Sequence, residues 1–215
     1  MTYDEFLNFF NDFKKIKSFA GKIKFADQNL QRIGSGSGRI VYDIDGEKVL
    51  KLAKNTKGVA QNEVESGIGT RYDTQNIVTK VFEYDENGAW LISEKAKKVN
   101  EKRIKKLTGI PSLNDLFYYL KNFESQNKGG RAIFSQAPEI KEQLSEIEFV
   151  NDLLDLMNNY NVTSGDLSRP STYGEVLRDG QPSIVVTDYG LSDEVYNSHY
   201  SPQRKQNYRL YELYQ

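Results

Sequence analysis

The sequence predicts an α+β fold, with an antiparallel sheet carrying one helix up to Ala96 and a mainly helical stretch after it. Three observations point there. From Leu30 the chain runs in short apolar segments separated by turn residues; Asp45–Gly46 sits between two of them, a strong hairpin signal; and 138–160 carries a long stripe at helical spacing. With 215 residues, 38% hydrophobic and 27% charged, the chain is long enough to bury a core in one domain or two small ones.

Taken in order, residues 3–17 place Phe6, Phe10, Phe13 and Ile16 at three- and four-residue spacing, an amphipathic helix with Thr2 or Asp4 near its start. Its phenylalanine face must dock, on its own domain, on a partner or on a membrane surface. The segments LQRI, RIVYDI and KVLKLA read as strands, the first two joined by Gly34-Ser-Gly36-Ser-Gly38. A helix over 59–68 follows, with Ala60, Val64 and Ile68 on one face and Gly67 and Gly69 suited to its end. Strands are expected at 77–84 and 89–93 around the turn Asp85–Gly88. Beyond Ala96, helices are expected over 112–123 and, as one long element, 138–160, with a polar loop over 125–136 between them. Residues 165–190 return to strand chemistry, most compactly at 183–187. The domains read as 1–27, a helical N-terminus; 28–96, a sheet lobe; and 97–215, a helical lobe.

Composition excludes several chemistries. The chain has no cysteine, which removes disulfides, thiolate metal sites and a cysteine nucleophile; one histidine, His199, leaves little for a histidine-based site. A net charge of -1 gives no overall attraction to phosphate backbones, so nucleic acid is not an expected partner. No apolar run approaches a membrane span, and the acidic residues among the first fifteen do not suit a secretion signal. The expectation is a soluble, cytoplasmic protein.

The candidate chemistry is spread along the chain. Glycines at 34, 36 and 38 let backbone N–H groups approach phosphate oxygens, although a Gly/Ser tract is also simply flexible. Lys51 shares a strand face with Val49 and Ala53, a surface suited to a flat base with phosphates beyond it. The next helix offers Glu63 and Glu65 as partners for Lys51, with Glu65 favoured because it adjoins the apolar stripe. Asp166 in Ser-Gly-Asp-Leu and Asp188 in Asp-Tyr-Gly each sit beside glycine, where one carboxylate can orient a hydroxyl and another bind Mg²⁺.

In this order the parts resemble the protein-kinase-like superfamily: glycine-rich loop, strand lysine, helix glutamate, catalytic-loop aspartate and an Asp-Phe-Gly-like metal motif. The resemblance runs from Leu30 to Leu191, with Trp90–Ala96 similar to the strand and hinge between two lobes. The compact chain is similar to bacterial and phage-encoded kinase-like proteins, acting in a host cell or a virion. The resemblance implies a bilobal fold with a reduced C-lobe that binds ATP and Mg²⁺ and transfers the γ-phosphate to a hydroxyl of a protein or small molecule. It also implies roles. Gly34, Gly36 and Gly38 would cover the phosphates, Val41 and Val49 touch adenine, and the backbone of Glu94 and Ala96 meet its edge. Lys51 would hold the phosphates, oriented by Glu65; Asp166 would orient the acceptor; Asp188 would bind Mg²⁺.

Departures from the pattern point to an alternative, a catalytically impaired pseudokinase that binds nucleotide or serves as a scaffold. Ser171 stands where the family has a metal-binding Asn, and hydroxyls are poorer Mg²⁺ ligands. Ser164 replaces a histidine, and Arg39 occupies the place of the loop's third glycine. The lysine-rich run 97–106 is either a solvated face or a basic patch for an acceptor. His199 reads as a surface residue, and Tyr196, Tyr200, Tyr208, Tyr211 and Tyr214 as an aromatic tail that completes the second lobe or meets a partner.

Overall fold

The computed structural model describes residues 3–199. They form two compact units, one taking in the residues up to Gln75 with Thr79–Ala96, the other Asn76–Val78 with the residues from Lys97 onward.

In the first unit the N-terminal helical segment is two helices, α1 (Tyr3–Lys15) and α2 (Phe19–Asn29), where the sequence suggested one. Ser18 divides them: its hydroxyl accepts from Gly21 N at 3.1 Å and caps α2. The following sheet has the strands β1 (Gln31–Ser35), β2 (Arg39–Asp43), β3 (Lys48–Ala53), β4 (Val81–Tyr84) and β5 (Trp90–Glu94). Their order is β1-β2-β3-β5-β4 and every pairing is antiparallel. Helix α3 (Thr56–Gly69) lies between β3 and β4 in sequence, its start capped by Asn55, whose side chain accepts from Gly58 N at 3.2 Å.

Alternation along the strands gives the sheet two different faces. Ile40, Tyr42, Leu50, Leu52, Trp90 and Ile92 form one core with Phe9, Phe10 and Phe13 of α1 and Ala26 of α2. Phe10 meets Trp90 edge-on, ring centres 4.8 Å apart. The phenylalanine stripe is therefore spent inside its own unit. The other face carries Arg39, Val49, Lys51, Ala53 and Ser93, all buried, with α3 against it. The Asp45–Gly46 turn joins β2 to β3, with Gly46 at φ 91° and Asp45 Oδ1 accepting from the backbone of Glu47 and Lys48 at 2.9 and 2.8 Å. The strand expected over 77–84 begins only at Val81; Val78 belongs to the second unit, where it bridges Val186 in parallel.

The second unit contains α4 (Glu101–Thr108), α5 (Leu113–Asn127), α6 (Pro138–Ser145), α7 (Glu148–Tyr160), the single turn α8 (Ser164–Leu167) and α9 (Asp193–His199). Its sheet has the order β6-β7-β8, with β6 at Lys97–Lys98, β7 at Tyr173–Arg178 and β8 at Gln181–Val186. The expected single helix over 138–160 is broken at Glu146–Ile147, and α5 runs four residues past Phe123, so the loop starts at Lys128. Asn122 pins that loop, its Oδ1 accepting from Ile133 and Phe134 N at 2.7 and 2.8 Å and its Nδ2 donating to Phe134 O at 2.9 Å. Leu116, Leu120, Leu144, Val150 and Leu153 are fully buried in this unit. Among the described residues no helix is long and apolar enough to cross a membrane.

Candidate functional site

Lys51 and Glu65 meet because β3 and α3 share the sheet's polar face. Lys51 Nζ donates to Glu65 Oε2 at 2.5 Å, with the two side chains 7% and 0% exposed. Glu65, and not Glu63, makes this contact. A buried carboxylate needs both oxygens satisfied, and the second is taken by Arg39 of β2, whose Nη2 donates to Oε1 at 2.8 Å. Arg39 also donates to Asn62 Oδ1 at 3.3 Å, and Asn62 Nδ2 donates to Gly88 O at 2.8 Å. Burial by itself would raise the Glu65 carboxyl. The charges of Arg39 and Lys51 and their hydrogen bonds outweigh it and hold the group below its ordinary value. No sequence pattern singles out Arg39 as a partner of Glu65; the signal is only its strand parity with Val41, one position beyond the glycines.

The glycine segment forms a tight hairpin tip, closed by Gly36 N donating to Arg39 O at 2.9 Å. The start of α3 holds it down. Lys54 Nζ donates to Gly36 O, Asn55 Nδ2 to Ser37 O at 3.1 Å, Lys57 Nζ to the Ser37 hydroxyl at 2.8 Å, and Lys54 N to Gly38 O at 2.8 Å. Gly38 is closely packed: a Cβ there would lie 3.1 Å from Gly58 N and 3.2 Å from Gly58 Cα, so the two backbones would have to part by a few tenths of an ångström. Gly36 has open space around it, and a Cβ on Gly34 would meet only Val41 in ordinary contact. Among the described residues the N–H groups of Ser37 and Gly38 have no hydrogen-bond acceptor, which leaves two backbone donors at the tip.

Val41 is half-buried and Val49 buried, on the face that carries Lys51. Glu94 N donates to Lys80 O at 2.8 Å, so this amide is engaged within the sheet, and the first unit ends at Ala96.

In the second unit Asp166 lies in the helical turn α8, half-buried. The turn is anchored from below by Ser164, which is fully buried and donates through its hydroxyl to Glu124 Oε2 of α5. Glu124 also pairs with Lys121 at 3.5 Å and Lys128 at 3.0 Å. Burial would raise its carboxyl, and the Ser164 bond and the lysines bring it below the ordinary value instead. Ser171 is exposed on the short 3-10 turn Pro170–Thr172.

The next residue organises this region. Thr172, buried, donates from Oγ1 to Asp166 O at 2.7 Å, and its carbonyl accepts from Thr187 N at 2.7 Å and Thr187 Oγ1 at 2.9 Å. Asp188 follows Thr187 and is exposed at the end of β8. One threonine thus joins the segments that carry the two candidate aspartates. Among the described residues no group of three or more acidic or histidine side chains gathers to hold a metal. Asp188 as a single hard oxygen donor still suits Mg²⁺, which is commonly bound by one or two carboxylates together with substrate phosphates. His199 lies in the last turn of α9; of the tyrosines at 196, 200, 208, 211 and 214, only Tyr196 falls within the described residues.

No protein-family model matches the chain, and no curated protein matches it. Solved structures similar to it include a mutant kinase domain of PknI from Mycobacterium tuberculosis, at 11% identity over 84% of this chain and 68% of that one, TM-score 0.37. Choline kinase LicA from Streptococcus pneumoniae is similar at 14% identity over 90% and 79%, TM-score 0.37. The GDP complex of aminoglycoside 2'-phosphotransferase-IIIa is similar at 15% identity over 78% and 69%, TM-score 0.32.

Proposed function

We propose that the chain is an ATP- and Mg²⁺-dependent phosphotransferase of protein-kinase-like type, acting on a hydroxyl of a protein Ser/Thr residue or of a small molecule. The observation that carries this reading is the buried Lys51–Glu65 pair, at 2.5 Å, on the same sheet face as Val49 and one hairpin away from the glycine tip. A lysine with only 7% of its side chain exposed, held by a fully buried carboxylate, is a fixed cation, and burying such a pair without a use is costly. In this reading Lys51 holds nucleotide phosphates, Glu65 orients it, and Gly34, Gly36 and Gly38 with the free amides of Ser37 and Gly38 cover the phosphates. Val41 and Val49 form an apolar wall for the base, and the backbone of Glu94 and Ala96 lies along its edge.

Asp166 orients the acceptor hydroxyl and takes its proton as the oxygen attacks the γ-phosphorus; the bond to the bridging oxygen breaks and ADP leaves. Asp188 is the residue that would hold Mg²⁺, which neutralises phosphate charge when bound. Incubation with γ-labelled ATP and Mg²⁺ tests the reading: label should leave ATP for an acceptor or for water, and Asp166→Asn should abolish this while nucleotide still binds.

A second reading, a nucleotide-binding scaffold with impaired catalysis, is favoured by the exposed Ser171 hydroxyl at the place of a stronger metal ligand. It predicts nucleotide binding without label transfer.

A further inference from the structure

Helix α4 of the second unit is anchored by one face and leaves the other charged. Ile104 is fully buried, and Arg103 forms a two-bond pair with Glu175 of β7, at 2.6 and 2.9 Å. Lys102, Lys105 and Lys106 fall on the opposite side at i, i+3 and i+4, all exposed. Among the described residues none of the three makes an ion pair or a side-chain hydrogen bond.

The three line a shallow, solvent-open depression of about 580 Å³, completed by Glu101, Ile110 and Pro111. Such a depression can seat a phosphate and part of a small organic body while the rest of the ligand stays in solvent. Ile110 is buried and Pro111 half-buried, so the lining has an apolar part. Glu101 is already engaged, its Oε1 accepting from Leu113 N at 3.3 Å. Like charges three and four residues apart weaken a helix. Lys105 and Lys106 recover part of that through the helix C-terminus, but Lys102, in the first turn, does not.

Three ammonium groups against one carboxylate leave the lining about two charges positive, the complement of a phosphomonoester, which carries about −1.5 to −2 near neutral pH. We propose that this concavity binds a small molecule through a phosphomonoester group, with Lys102, Lys105 and Lys106 around the phosphate and the organic body toward Ile110 and Pro111. The site lies wholly within the second unit, and the proposal does not depend on the nucleotide reading.

The test is calorimetric titration of phenyl phosphate into the full chain at low ionic strength without Mg²⁺, with benzoate as the monoanion of similar body. The expected result is saturable 1:1 binding of phenyl phosphate and weaker binding of benzoate. Affinity for phenyl phosphate should fall about ten-fold or more when Lys102, Lys105 and Lys106 are all changed to Ala. It should be retained when Lys17, Lys24 and Lys141, exposed elsewhere, are changed to Ala for the same loss of charge. It should also be retained in Lys51→Ala. Absence of saturable binding, or equal weakening in the two triple variants, overturns the proposal. Loss in Lys51→Ala with retention in the α4 variant places the phosphate at the nucleotide site and overturns it as well.

Discussion

Glu65 holds Lys51 with one carboxylate oxygen and Arg39 with the other, at 2.5 and 2.8 Å, in a part of the first unit where all three side chains are at most 8% exposed. Glu65→Gln removes the buried negative charge that both cations share, and breaking a buried ionic cluster in this way costs about 3–5 kcal/mol. Urea unfolding should show a fall of that order. Exposed Glu63, on the same helix, should cost less than about 0.5 kcal/mol on substitution to Gln.

The same pair sets a pH dependence. The folded-state Glu65 carboxyl lies below its ordinary value of 4.5, so its contribution to stability is fully present above that value and is lost as pH falls through the lower, folded-state one. Glu124 acts in the same direction. Unfolding free energy followed by denaturant titration from neutral pH down into the acid range should therefore decline below about 4.5, and Glu65→Gln should make the decline shallower.

Gly38 and Gly58 are in backbone contact, and this contact sets how closely the glycine hairpin lies on α3. A methyl group on Gly58 would run into Gly38 O and come within 3.0 Å of Ala53 Cα. Gly58→Ala should destabilise the chain by about 1–3 kcal/mol through overpacking. Gly36→Ala, with open space around it, should leave stability nearly unchanged, as thermal unfolding of the two variants will show.

Thr172 links the two aspartate segments through its hydroxyl as well as its carbonyl. Thr172→Val keeps the shape and removes the 2.7 Å bond to Asp166 O, a partly buried hydrogen bond worth about 1 kcal/mol. The expected outcome is that loss of stability together with a drop in the rate of label transfer larger than any change in nucleotide affinity. Thr172→Ser, which retains the hydroxyl, should recover both.

Much of the first unit was legible because local chemistry and tertiary packing agree there. Asp45–Gly46 has turn chemistry and forms the turn, and the spacing of Ala60, Val64 and Ile68 marks α3; of these three only Ile68 is buried, and Glu65 meets the sheet on the face of Gly58, Asn62 and Gly69. Where the sequence was silent, the cause was tertiary. Helix α2 carries no strong apolar stripe and is held by its Ser18 cap and by Ala26 and Phe25 against the core. The break between α6 and α7 has neither Pro nor Gly, and Ile147, the residue before α7, makes no side-chain cap, so the 138–160 periodicity runs through it unmarked. By contrast, strand β7 pairs with β8 across Asp179–Gly180, both at positive φ, the same turn chemistry as Asp45–Gly46, so this hairpin is marked in the sequence although only 183–187 reads as a compact strand. Arg39 and Thr172 carry no motif; only the register of β2 and the fold of the 170–172 turn give them their partners.

In the proposed function Lys51 and Asp188 serve a nucleotide and its cation. Calorimetric titration of ATP with and without Mg²⁺, on the native chain and on Lys51→Ala and Asp188→Ala, tests it most directly. Binding should be strengthened by Mg²⁺, weakened by Lys51→Ala under both conditions, and should lose its Mg²⁺ dependence in Asp188→Ala. Absence of binding at millimolar nucleotide, or binding that neither substitution changes, would contradict it.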